Sequence, residues 1–385
     1  MDEKDETTSL LSATQSTVYG TAAAAADTVL DPVEPVTLSW KSIRVSVTKG
    51  GRQLLHGVTG LARPGELLAL MGASGAGKTT LLNTLLSRNL RGLTIDGTVA
   101  VNGNVIGREI TAISGYAQQE EMFVGTLTVR EYLMIQARLR TNLVAEKREK
   151  RVNVVLSQLG LTKCQNTRIG VAGVLKGISG GEARRLTFAC EILSNPALLF
   201  CDEPTTGLDS FMAENVVQVL SKLAKNGRTV VCTIHQPASQ LYLMFDKVMF
   251  LAGGRTAFLG TPRDCIKFFE ECDAPCPHNY NPADLIIHTL AVVPHEEEIS
   301  RQRIAEICDT YENGYGFEAL AINQWNNVNN ANSTFWNDQI RDDVLSRFSF
   351  KADRFALDQL LMVAFILAFY AIGYFGLWIR VYLSR

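Results

Sequence analysis

An excess of charge of either sign is missing from this chain: 37 Lys and Arg stand against 39 Asp and Glu over 385 residues, a net charge of −2. That balance leaves no electrostatic case for nucleic acid as the main partner. Long apolar runs are nearly missing too. Only Leu360 to Ile379 stays uncharged and apolar over about 20 residues, the length that carries a helix across a ~30 Å hydrocarbon core. The opening Met1-Asp2-Glu3-Lys4-Asp5-Glu6 is charged and no apolar stretch follows it, so the sequence predicts no secretory leader and a cytosolic bulk. Zinc-type cysteine spacing is missing as well. The eight cysteines are scattered, mostly inside apolar runs, as reduced thiols are, and Cys272, Cys276 and His278 have no second ligand pair beside them.

What is present begins with Gly72-Ala73-Ser74-Gly75-Ala76-Gly77-Lys78-Thr79, which meets the phosphate-loop pattern G-x-x-x-x-G-K-[ST] at every required position. Its flanks agree. Glu66 to Met71 reads as a buried strand and Lys78 to Ser87 as the following helix, so the loop lies between strand and helix. Glycines let the backbone wrap a phosphate, the N–H groups form a nest, and the helix dipole turns its positive end to the anion. Gly72 to Thr79, together with Thr80, are the expected nucleotide contacts. Lys78 would reach the β- and γ-phosphates and the Thr79 hydroxyl would ligate Mg²⁺. The cofactors expected are therefore ATP and Mg²⁺.

Around this loop the pattern alternates. Thr37 to Val47 and Gln53 to Leu61 read as strands, and Gly97 to Val101 and Ile113 to Gln118 as shorter ones. Thr128 to Arg140 and Ala145 to Leu161 read as charged helices inserted into the core, and Glu146 to Arg151 reads as a solvated helix face. Helix and strand then alternate through Gly181 to Ser194, Ala197 to Asp202, Ser210 to Lys225 and Thr229 to Ile234. The fold class predicted is α/β, with a mostly parallel sheet. Leu198 to Glu203 is an apolar strand ending in two carboxylates, which a strand buried on both faces delivers to the ligand crevice. Asp202 would hold the metal through water and Glu203 would orient or deprotonate the attacking water. Ser179-Gly180-Gly181-Glu182 opens a helix with a hydroxyl and two glycines, a second anion-binding N-terminus.

In these motifs and their order the chain resembles the ATP-binding-cassette ATPases. Ser179, Gly180, Gly181 and Glu182 stand at the position of the LSGGQ signature, Gln119 matches the Q-loop, Pro204 to Asp209 the D-loop and His235 the switch histidine. The resemblance implies that Gln119 is also a metal contact, that Asp209 belongs to the nucleotide interface, and that the signature of one protomer completes the site of another. A homo- or heterodimer with another half-transporter is therefore the expected partner. Cassette ATPases often stack adenine on an aromatic residue of the first strand; here that position falls on Val47, which implies that adenine is held mainly by apolar contact.

Ile178 to Arg185, Asp202 to Ser210, Cys232 to Pro237 and Asn279 to Asp284 resemble the White-type half-transporters of the G subfamily, over nearly all of residues 36–312. That resemblance implies ATP-driven transport of a small molecule in a complete transporter, with the lipid bilayer as a further partner. The expected organisation is a disordered tail over 1–35, a P-loop cassette ATPase domain over 36–312 with antiparallel N-terminal strands, a linker over 313–356, and one membrane helix over 357–382. White-type members have six membrane helices after the cassette. Here Arg303 to Asn313 resembles the cassette's end and Tyr315 to Trp325 the stretch before the last helix, so the first five are expected to be missing. Arg341, Arg347, Lys351 and Arg354 before the apolar run, against Arg380 and Arg385 after it, favour a cytosolic N-terminal side, with the sequon at Asn332 unmodified. A membrane-anchored ATPase that regulates full-length partners is the alternative reading.

Overall fold

The computed structural model describes residue 30 and residues 32–315, apart from 120, 121, 172, 173, 278 and 279. The expected linker beyond 315, the sequon at Asn332 and the apolar run Leu360–Ile379 lie outside the described residues, as does His278. In chain order the elements begin with strands β1 (Leu38–Val47), β2 (Gln53–Ala62) and β3 (Leu67–Met71), then helix α1 (Lys78–Leu85). Strands β4 (Leu93–Val101) and β5 (Asn104–Val105), the short helix α2 (Ile110–Ile113) and strand β6 (Ser114–Ala117) follow. Helices α3 (Val129–Arg140), α4 (Ala145–Gln158) and α5 (Gly180–Ile192) precede β7 (Leu198–Cys201), α6 (Ser210–Lys225), β8 (Thr229–Thr233) and α7 (Ser239–Tyr242). The described chain closes with β9 (Lys247–Ala252), β10 (Arg255–Gly260), α8 (Pro262–Glu271), α9 (Pro282–Thr289) and α10 (Glu297–Thr310), which runs into a wider turn over Tyr311–Tyr315.

Two sheets result. One has four antiparallel strands in the order β2-β1-β4-β5; the other has six in the order β10-β9-β3-β8-β7-β6, parallel throughout except for the β9–β10 pair. The central strands β3, β7 and β8 are buried at every residue because helices or strands cover both faces. Leu67, Ala69 and Met71 face one core with Leu199, Cys201, Val230 and Cys232. Leu68 and Leu70 face the other with Leu198, Phe200 and Val231. Each such side chain contributes roughly 1.5–3 kcal/mol on burial, so the period-two alternation fixes the register.

This register brings separated motifs to one edge. β3 leads into the phosphate loop, β8 into Ile234 and His235, β7 into Asp202 and Glu203, and β6 into Gln118 and Gln119. In a parallel sheet all four C-terminal ends open on the same crevice.

The inserted helices take the form expected: α3 carries a Thr128–Glu131 capping box, and Arg130 ties it to Glu149 of α4 at 3.0 Å. Two expectations on boundaries need correction. Leu30 is only 5% exposed and belongs to the main core, although it falls within the stretch read as a tail. Helical structure also continues past residue 312 to Tyr315, because Arg255 of β10 binds Asp309 and Glu312 at 2.6 and 2.8 Å and the Tyr311 ring meets Phe258 and Phe268.

Candidate active site

Beyond β3 the chain turns through Gly72 to Gly77 into α1. Gly72 has φ 142° and a Cβ there would collide with the Leu251 carbonyl oxygen; Gly77 has φ 104° and a Cβ would stand 2.6 Å from Leu55 Cδ2. Glycine is required at both places by conformation and by space. Lys78 folds back along this loop, donating from Nζ to the carbonyls of Gly72 at 2.7 Å and Ala73 at 3.0 Å. Burial lowers its pKa, while the carboxylates of Glu203 and Asp202 pull it back up, so both acids lie within electrostatic reach of the ammonium.

The two acids are held unlike one another. Asp202 is 8% exposed; its Oδ1 accepts from Thr233 Oγ1 at 2.6 Å and its Oδ2 from the Tyr116 hydroxyl at 3.3 Å. Burial, then the Asp202 charge, pushes the Tyr116 hydroxyl up to about 12, which keeps it a donor. Arg88 lies 5.5 Å above the centre of the Tyr116 ring. Glu203 has φ 46°, in the left-handed region, and its N–H donates to Thr233 Oγ1 at 2.8 Å. Its carboxylate accepts from Gln119 Nε2 at 2.7 Å and from Thr206 Oγ1 at 3.0 Å. Gln119, not its neighbour Gln118, therefore joins the acids.

Ser179 caps α5. Its hydroxyl donates to Glu182 Oε2 at 3.0 Å, its N–H donates to the same oxygen at 2.8 Å, and the Glu182 N–H donates back to Oγ at 3.3 Å. Gly180 is exposed and Gly181 buried, with Met212 Sδ 3.3 Å from where a Gly181 Cβ would be. One turn further, Arg184 donates to the Gln119 carbonyl at 2.6 Å, linking this helix to the loop after β6.

Asp209 caps α6 through the Met212 N–H at 2.8 Å. His235 is exposed and lines a cleft of about 400 Å³ with Thr205, Leu208, Asn281 and Asp284. Among the described residues no hydrogen bond joins His235 or Ser179 to Glu203. Val47 ends β1, half-buried opposite Leu93, with its N–H bonded to the Arg52 carbonyl at 2.9 Å in the turn toward β2. The Thr79 hydroxyl, the Asp202 carboxylate and the Gln119 amide are hard oxygen donors of the kind Mg²⁺ takes alongside phosphate oxygens, and they fit that ion. Among the described residues no group of three or more His, Cys, Asp and Glu offers another metal site.

Residues 55–206 match the family described as ABC transporter, and residues 235–356 the family described as ABC-2 type transporter. The chain is 54% identical to the ABC transporter ATP-binding protein/permease wht-3 of Caenorhabditis elegans, over 73% of this chain and 46% of that protein. It is 52% identical to Protein white of Drosophila melanogaster, over 68% of this chain and 39% of that protein. The chain belongs to the White-type ABC transporters. It spans less than half the length of these relatives. The fold matches that of cbiO1 from Clostridium perfringens, part of the ABC transporter complex cbiONQ, with a TM-score of 0.52 at 21% identity over 62% of this chain and 94% of that one.

The described part of 235–356 consists of the elements from α7 to the Tyr311–Tyr315 turn, and among the described residues no helix is long and apolar enough to cross a membrane. Trp40, the aromatic residue nearest Val47 in β1, is 1% exposed and lies where a Cβ on Gly60 would strike its ring, so it belongs to the core and not to a base pocket. Tyr116, Thr233, Thr206 and Arg184 carry hydrogen bonds in the site and escape sequence reasoning. Thr206 and Arg184 sit inside the D-loop and signature segments, whose motifs mark the stretch but not these side chains. Tyr116 and Thr233 become visible only once the strand order is known.

Proposed function

We propose that this White-type ABC ATPase domain binds ATP with Mg²⁺ at the loop Gly72–Thr79 and hydrolyses it when a second such domain adds its signature helix. In the whole transporter the cycle drives a small molecule across the membrane, with the ATPase domain in the cytosol. The observation that carries this reading is the division of the polar groups. Lys78, Asp202, Glu203 and Gln119 share one electrostatic neighbourhood, while the Ser179 hydroxyl is occupied in its own helix cap. One chain thus supports a site lacking its signature contact.

The roles follow from the chemistry of each group. The loop N–H groups and Lys78 bind the phosphates, and Thr80, at the same helix N-terminus, and Val47 complete the nucleotide contacts on the near side. Thr79, Asp202 and Gln119 would hold the metal, which would supply positive charge to neutralise the phosphates. Glu203 orients the attacking water and accepts its proton, and Gln119 and Thr206 hold the carboxylate that does so. His235 donates toward the terminal phosphate. Ser179, Gly180 and Gly181 of the opposing chain complete the anion cradle, with Glu182 and Asp209 fixing the helices that carry them. Loss of the bridging phosphate then lets the two domains part.

Glu203→Gln tests the reading. The amide keeps shape and hydrogen bonding but accepts no proton, so nucleotide affinity stays within about twofold while turnover falls by a factor on the order of 10²–10⁴. Turnover at the wild-type rate in this variant contradicts the assignment.

A further inference from the structure

We propose that Thr233 and Tyr116 are positioning residues that clamp the Asp202 carboxylate between the two strands flanking β7, and that Thr233 sets Asp202 and Glu203 as a single unit. The proposal rests on the Mg²⁺-ATPase reading above. In the sheet order, β7 lies between β8 and β6. Thr233 comes from one neighbour and Tyr116 from the other, and each takes a different oxygen of the same carboxylate. The Thr233 side is the tighter, at 2.6 Å against 3.3 Å.

The direction of these bonds is fixed by chemistry. A backbone N–H can only donate, so Thr233 Oγ1 accepts from Glu203 at 2.8 Å, and its own proton goes to Asp202 Oδ1. One hydroxyl thereby links the backbone of the water-orienting residue to the carboxylate of the metal-holding residue. All three groups are sheltered: Thr233 is 1% exposed and Tyr116 and Asp202 each 8%.

The hydroxyl also answers a local problem. Glu203 at φ 46° cannot continue the strand ladder, and its N–H would be left without a partner if Thr233 lacked oxygen. Two hydroxyls use two of about four lone-pair sites on Asp202, which leaves the carboxylate able to take a metal or its water on the crevice side. A purely structural pair would stabilise the sheet and leave the response to Mg²⁺ untouched; a clamp on the metal carboxylate ties the two together.

The test compares full-length Thr233→Val, Thr233→Ser and Tyr116→Phe chains with the wild type. A fluorescent ATP analogue is titrated in Mg²⁺ and again in EDTA, and turnover is measured against Mg²⁺ concentration. For Thr233→Val the gain in nucleotide affinity conferred by Mg²⁺ shrinks about tenfold, the size of one hydrogen bond to a charged group, while affinity in EDTA stays within about twofold. Half-saturating Mg²⁺ rises and kcat falls. Thr233→Ser restores both, and Tyr116→Phe moves them in the same direction by less. If Thr233→Val does not fold, the Tyr116→Phe shift decides by itself. A wild-type gain from Mg²⁺ retained in full by Thr233→Val, or by Tyr116→Phe where it stands alone, overturns the clamp. A serine variant as impaired as the valine one also overturns it. A wild-type chain that binds the analogue equally with and without Mg²⁺ overturns the underlying ATPase reading and the clamp with it.

Discussion

Lys78 keeps two of its three ammonium protons within its own loop. It donates to two carbonyls of its own loop, and its pKa is lowered by burial against the pull of Glu203 and Asp202. An ammonium held this way is already desolvated and aimed, so binding phosphate exchanges carbonyl partners for anionic ones. Lys78→Ala removes that exchange, and ATP affinity measured by calorimetry drops on the order of tenfold to a hundredfold. Unchanged affinity would remove Lys78 from the site. At this scale the phosphate loop was legible because its chemistry is compressed into one short stretch with fixed spacing. The clamp was not, since Thr233 and Tyr116 stand 31 and 86 positions from Asp202. Nothing local in Cys232-Thr233-Ile234 or Gly115-Tyr116-Ala117 marks either hydroxyl as aimed at a carboxylate.

Helices and strands read unequally well. β3 and β7 announced themselves as unbroken apolar runs, because strands covered on both faces need no polar residue, and β8 as an apolar run closed by a threonine at each end. The β9–β10 hairpin was passed over although Gly253-Gly254 between two apolar runs signals such a turn. Its role in bracing the phosphate loop, through the Gly254 N–H on the Ala76 carbonyl at 3.2 Å, depends on the tertiary fold. Two element-scale predictions follow from capping. Asp209→Ala removes the bond to Met212 N–H and costs about 1 kcal/mol, lowering the melting temperature by about 2–4 °C, whereas Asp209→Asn keeps the cap. At the α5 cap, burial raises the Glu182 pKa, but hydrogen bonds from the Ser179 N–H and hydroxyl and the Cys164 thiol, with the Arg185 charge, outweigh it and leave it below the ordinary 4.5. A depressed carboxylate contributes stability that is present above about 4.5 and is lost as pH falls through the folded value. Melting curves of Glu182→Gln therefore converge with the wild type in acid and lie below it at neutral pH. Parallel curves across that range would show that the carboxylate contributes nothing.

On the function proposed above, the described domain presents half of a shared reaction centre. The crevice at the strand ends gathers Lys78, Asp202, Glu203 and Gln119, and the Ser179 hydroxyl is turned into its own cap. The parallel sheet and the inserted helices were legible in outline from periodicity and the antiparallel N-terminal strands from the family resemblance, while the packing of Leu30 and the continuation to Tyr315 depend on contacts that no local pattern encodes. The central claim is that turnover needs two chains, and the most direct measurement mixes Lys78→Ala with Ser179→Phe. Each variant by itself has no intact composite site. Half the dimers in an equal mixture are mixed and each of those has one intact site, so activity recovers to about a quarter of wild type. The rate per chain in the wild type also falls on dilution below ~1 μM. Two inactive variants that stay inactive when mixed, together with a wild-type rate per chain that is flat on dilution, would contradict the shared site.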